Sequence, residues 1–119
     1  MKFPYTIDQI RQAYQKLDYK PFKGQWICND ERLCCPMTAL VCVQHTDFVE
    51  MMVEEQVHYS YDHTCNTVAQ LLSIDLSTVV SFACGFDGSL GSAITEFENA
   101  VLIDIEIYEY GKMIAEAIL

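Results

Sequence analysis

A mainly α domain, with five or six helices around one short two-stranded β-hairpin, is what three features of the sequence predict. Apolar residues recur at helical spacing through most of the chain, as in Ile10, Ala13, Tyr14 and Leu17. Between Trp26 and Leu40 the only Trp and three of the six Cys surround a turn signal, Asn29-Asp30-Glu31, flanked by two short apolar runs; that pattern predicts a tight hairpin over residues 25–35. Finally, 119 residues make one domain, 1–119, long enough to bury about two-thirds of the surface of its unfolded chain.

The first helix opens at the capping box Thr6-Ile7-Asp8-Gln9 and turns Arg11, Gln12 and Lys16 outward. Pro21 and Gly24 end it and lead into the hairpin. Pro36 suits a first helical position, which makes Cys35 the N-cap; Met37, Ala39, Leu40, Val41 and Val43 leave almost no polar side, so this helix should run through the middle of the domain with Cys42 as a core residue. Thr46 or Asp47 should cap the next helix, whose apolar stripe is Phe48, Met51 and Met52, extended by Val57, and whose other side is acidic through Glu50, Glu54 and Glu55.

A connector from His58 to His63 is expected next, followed by a helix starting at Asp62 or Thr64 and carrying Cys65, Val68, Ala69, Leu71 and Leu72. Leu76-Ser77 reads as staple and N-cap of a short apolar helix over Val79, Val80, Phe82 and Ala83, stopped by Gly85 in a left-handed cap. The turn Gly85-Phe86-Asp87-Gly88 would continue into a loop through Leu90-Gly91-Ser92, with Asp87 bonding nearby N–H groups. Ile103–Ile107 alternates like a strand, but Ala100, Ile103, Ile107, Tyr110, Ile114 and Ala117 step by three and four. A long C-terminal helix from about Ala93 to Ile118 is therefore expected, with Gly111 marking a close backbone approach.

Three of these stretches carry a resemblance. Cys34-Cys35-Pro36-Met37-Thr38-Ala39-Leu40, then Phe82-Ala83-Cys84-Gly85-Phe86-Asp87-Gly88, then Tyr-x-x-Gly-Lys at Tyr108–Lys112 resemble small uncharacterised proteins of bacteria and their phages, which have Cys-Cys-Pro-Leu-Thr-Ala-Leu, Gly-Phe-Asp-Gly and a C-terminal helix. The resemblance runs from about Gly24 onward, with Met37 in place of Leu and a longer acidic stretch over Thr46–His63. It implies a helical domain and no particular activity.

Charge narrows the classes of function. The formal net charge is −10, and it is lopsided: residues 1–45 carry six basic and four acidic side chains, whereas residues 46–119 set Lys112 alone against thirteen acids. Direct nucleic-acid binding is disfavoured, since phosphate contacts need clustered Lys and Arg. No run approaches the eighteen or so apolar residues of a membrane span, and Met-Lys-Phe-Pro-Tyr-Thr lacks a signal-peptide core, so the expectation is a cytoplasmic protein with reduced thiols.

Residues that could do chemistry are few. A thiol at a helix start can be activated, which makes Cys35, then Cys34, the candidate nucleophile, with His45, His58 or His63 as base. Cys28, Cys34 and Cys35 could share a metal if Cys28 faces Cys34 across the hairpin, although the spacing is not that of a zinc knuckle. No nucleotide, phosphate or hydrolase motif is present, and no cofactor is expected. The preferred expectation is a non-catalytic interaction or regulatory module that offers Glu50, Glu54, Glu55, Asp104, Glu106 and Glu109 to a basic protein partner, with self-association through Met51/Met52 or the C-terminal surface. A thiol or metal protein is the rival, and an acidic mimic of nucleic acid a lesser one.

Overall fold

The computed structural model describes residues 3–45, 48–88 and 102–119. Among them six helices follow one another: α1 (Ile7–Leu17), α2 (Pro36–Gln44), α3 (Phe48–His58), α4 (Tyr61–Leu72), α5 (Leu76–Asp87) and α6 (Ile105–Ile118), with three two-residue strands between α1 and α2. The mainly helical class is as expected.

α1 begins with the capping box intact, Thr6 Oγ1 accepting from Gln9 N–H at 3.2 Å and Gln9 Oε1 from Thr6 N–H at 2.8 Å, and it ends on Asp18 in the left-handed region. The hairpin pairs β2 (Ile27–Cys28) antiparallel to β3 (Leu33–Cys34). The sheet has a third member that periodicity could not reveal, because β1 (Lys20–Pro21) runs parallel to β3 and puts β3 in the middle. Arg32 supplies the left-handed residue of the turn at φ 56°, and its guanidinium donates to the Leu17 and Asp18 carbonyls, both at 2.9 Å. One side chain thus closes the hairpin over the C-terminal end of α1.

α2 is central, with Pro36 to Cys42 buried without interruption. α5 is its apolar counterpart, buried from Val79 to Phe86, and it lies against α6 with backbones touching. A Cβ at Gly85 would stand 2.0 Å from the Tyr108 carbonyl oxygen, and one at Gly111 2.4 Å from that of Phe82. The approach expected at Gly111 is real. Phe3 stacks on Phe82 at 4.2 Å, and the Tyr110 hydroxyl donates to the Tyr5 carbonyl at 2.8 Å.

Several boundaries differ from expectation. Gly85 does not stop α5; the helix continues to Asp87, and Gly88 at φ 71° is the left-handed cap. Gly85 is required by the crossing instead. The α5 N-cap is Asp75, not Ser77, and α4 starts after Ser60, whose Oγ accepts from His63 N–H, so the supposed connector shrinks to Tyr59-Ser60. α6 starts at Ile105 behind the Asp104 cap, with Leu102, Ile103 and Asp104 outside the helix. The expected start at Ala93, the seam residue Ala100, the loop Leu90-Gly91-Ser92 and the caps Thr46 and Asp47 lie outside the described residues.

Candidate functional site

The hairpin register decides the fate of the cysteines. Ile27 stands opposite Cys34 and Cys28 opposite Leu33, so Cys28 and Cys34 project from opposite faces of the ladder. Cys28 is half-buried, and the other five are buried with free thiols. The proposed Cys28/Cys34/Cys35 metal set is therefore not assembled, and among the described residues no group of three or more His, Cys, Asp and Glu is placed to hold a metal ion.

Cys35 caps α2, and its sulfur lies 3.4 Å from Thr38 Oγ1. The Thr38 and Met37 N–H groups are near enough to draw its pKa down, although neither makes a capping hydrogen bond. Burial outweighs them and pushes the thiol up to about 11. A helix N-terminus is worth about 0.3–1 kcal/mol to a charge, whereas the rise from 9.0 corresponds to about 3 kcal/mol, so desolvation wins. Cys34 is likewise raised by burial and by its thiol neighbours, and Cys42 is pushed up to about 12.

No imidazole stands ready to deprotonate Cys35. His45 Nε2 bonds the Leu71 carbonyl at 3.1 Å, His58 lies beside Glu54 at 4.0 Å, and His63 Nδ1 donates to Glu55 Oε2 at 3.0 Å. The candidate nucleophile is a protonated, buried thiol at neutral pH.

Cys35 nevertheless borders a cleft of about 260 Å³. Four parts of the chain supply most of it, and Gln56 of α3 adds to the lining. Trp26 comes from the hairpin, Cys35 to Met37 from the start of α2, Tyr61 from the start of α4, and Phe86 and Asp87 from the end of α5. Trp26 and Tyr61 sit 5.5 Å apart with their rings tilted by 31°, and Tyr59, 54% exposed, stands on the rim. Two of the stretches that carry the sequence resemblance therefore meet here.

Asp87 was expected to bond neighbouring N–H groups within a local turn. Instead its Oδ1 accepts from Gly24 N–H at 3.1 Å, across sixty-three residues, and so joins the end of α5 to the hairpin strap. Burial raises its pKa, against the pull of the Gly24 N–H and of Lys23.

The supporting residue that sequence reading missed is Gln56. Its amide donates to the Ile27 carbonyl at 2.9 Å and accepts from Ile27 N–H at 3.0 Å, in the manner of a neighbouring strand, and so closes the free edge of β2. A single Gln within an acidic helix carries no signal that would reveal this.

The six acidic residues proposed to meet a partner are not brought together. Glu50 and Glu54 are exposed on α3, and Glu106 and Glu109 on α6, where Lys112 stands 3.9 Å from Glu109. α3 packs on α2, β2 and α4, while α6 packs on α5. Asp104 is half-buried and caps α6 by accepting from Glu106 and Ile107 N–H. Glu55 does not belong to the surface at all: it is 6% exposed and ties α3 to α4 through His63 and Thr67, the latter also at 3.0 Å. Met52 is fully buried and cannot serve self-association.

Among the described residues no single helix is long and apolar enough to cross a membrane. Compared with known proteins, the chain matches no family model, no curated protein and no solved structure.

Proposed function

We propose that this chain is a non-catalytic binding module, regulatory in character, that docks a basic and partly apolar protein segment on the outward face of α3. One observation carries the reading. Val57, Glu50, Glu54, His58 and Met51 are all exposed and fall within a stripe roughly 120° wide at the helical rotation of about 100° per residue. Val57 is 67% and Met51 44% exposed, so the stripe joins two apolar contacts to two carboxylates. A basic amphipathic helix has the complementary chemistry.

The thiol-enzyme reading has less support, because Cys35 is protonated and each imidazole is engaged elsewhere. A cytoplasmic setting suits six free thiols. The test uses a labelled amphipathic peptide of Lys and Leu, followed by fluorescence anisotropy. Binding should weaken several-fold in the Glu50→Gln/Glu54→Gln variant, in Met51→Ser/Val57→Ser, and as salt rises. Indifference to the carboxylate pair removes the proposal. Sensitivity to charge without sensitivity to Met51 and Val57 reduces it to non-specific attraction. Should the protein instead sediment as a dimer that the Met51/Val57 variant dissociates, the occupant of this face is a second copy.

A further inference from the structure

The cleft beside Cys35 has a chemical preference of its own. Its walls are mostly apolar and aromatic, contributed by Trp26, Tyr61, Met37 and Phe86, and one carboxylate, Asp87, stands among them. Asp87 is the last residue of α5, where the carbonyl end of the helix adds negative potential. Among the described residues no cation forms an ion pair with it; Lys23 stands beyond ion-pair distance.

The start of α2, which also borders the cleft, is poorly suited to an anion. Pro36 has no N–H, those of Met37 and Thr38 lie against the Cys35 sulfur, and that of Ala39 is bonded to the Cys35 carbonyl at 3.1 Å. Aromatic walls with a single carboxylate favour a cation on an apolar stem, which gains from ring faces and from the fixed charge together.

We propose that this cleft receives the side chain of a lysine supplied by the protein partner: its methylene stem lies against the aromatic walls and its ammonium reaches Asp87. The inference rests on the docking reading above and deepens it, because α3 carries the outward stripe and also lines the cleft through Gln56, with Tyr59 on the rim directly after the helix. A lysine side chain fits within the 260 Å³ available.

Trp26 is the only Trp of the chain and lines the cleft, so its fluorescence reports occupancy without a label. The probe is n-butylammonium chloride, a lysine side chain cut from its backbone, compared with 1-butanol and with sodium chloride at matched ionic strength. The expected result is a saturable change with the ammonium alone, weakened about tenfold in Asp87→Asn. The Asn variant retains an oxygen for the Gly24 N–H, and its circular dichroism and melting temperature verify the fold.

The Glu50→Gln/Glu54→Gln variant should bind the probe unchanged, which separates failure of the outer stripe from failure of the cleft. The probe should also compete with the Lys/Leu peptide. Equal responses to 1-butanol and to the ammonium, or an Asp87→Asn protein that binds as well as the parent, overturn the assignment. Binding without competition assigns the cleft to free amines and removes the partner lysine.

Discussion

Two glycines and a glutamate show how single residues set this structure. Gly85 and Gly111 let α5 and α6 meet backbone to backbone, and neither can accept a methyl group unless the helices separate. Gly85→Ala should cost about 3 kcal/mol, the upper end of overpacking, read as a lower urea midpoint; Gly88→Ala, left-handed but in open space, should cost about 1 kcal/mol. Equal costs would show that α5 and α6 separate easily and that the crossing does not require Gly85. The close approach at Gly111 was legible because a glycine inside a good helical seam is expensive unless something lies against it. Gly85 was not, since a glycine two residues before Asp87-Gly88 reads equally well as a cap. Glu55 misled for a similar reason. Its place beside Glu54 suggested a wet face, and only the fold brings His63 and Thr67 to it.

Between elements, the contacts that matter most were the least readable. Helices and hairpin followed from spacing and turn chemistry, but β1 joins the sheet through two residues, too few for any periodicity. Gln56 then substitutes for a strand that the sheet lacks. Gln56→Ala should remove both hydrogen bonds to Ile27 and leave an edge donor and acceptor unpaired, a loss of about 1–3 kcal/mol. Hydrogen exchange of the Ile27 amide should accelerate more than that of amides in the middle of α5. If both accelerate alike, the clamp is not local. The cleft has the same origin: Trp26, Cys35, Tyr61 and Asp87 come from four separate stretches, and no spacing along the chain could announce that they converge. What the sequence did make conspicuous was each stretch alone, the Cys-Cys-Pro start of α2 and the Asp-Gly end of α5.

For the molecule as a whole, burial of ionisable groups sets its tolerance of pH. Tyr14 and Tyr61 join Cys34, Cys35 and Cys42 as groups held in their neutral forms, with pKa values raised chiefly by desolvation. Each binds its proton more tightly when folded, so its contribution is complete below the unfolded value and declines as pH rises toward the folded one. For Cys35 that window runs from 9.0 to about 11 and is worth about 3 kcal/mol. Urea midpoints should stay level across this group's range until about pH 9 and then fall, while iodoacetamide at neutral pH should label Cys28 well before Cys35. A midpoint that holds through pH 11 would show that Cys35 ionises without loss of fold.

The clasp between Tyr5 and Tyr110 spans 105 positions of sequence, and Phe3 is sealed in place by Phe82 and Tyr110. During synthesis Phe3 emerges before α5 and α6, and its seat is complete only once both have followed. The ring that closes this end of the domain is therefore among the last to be housed, since contacts so far apart in sequence form late.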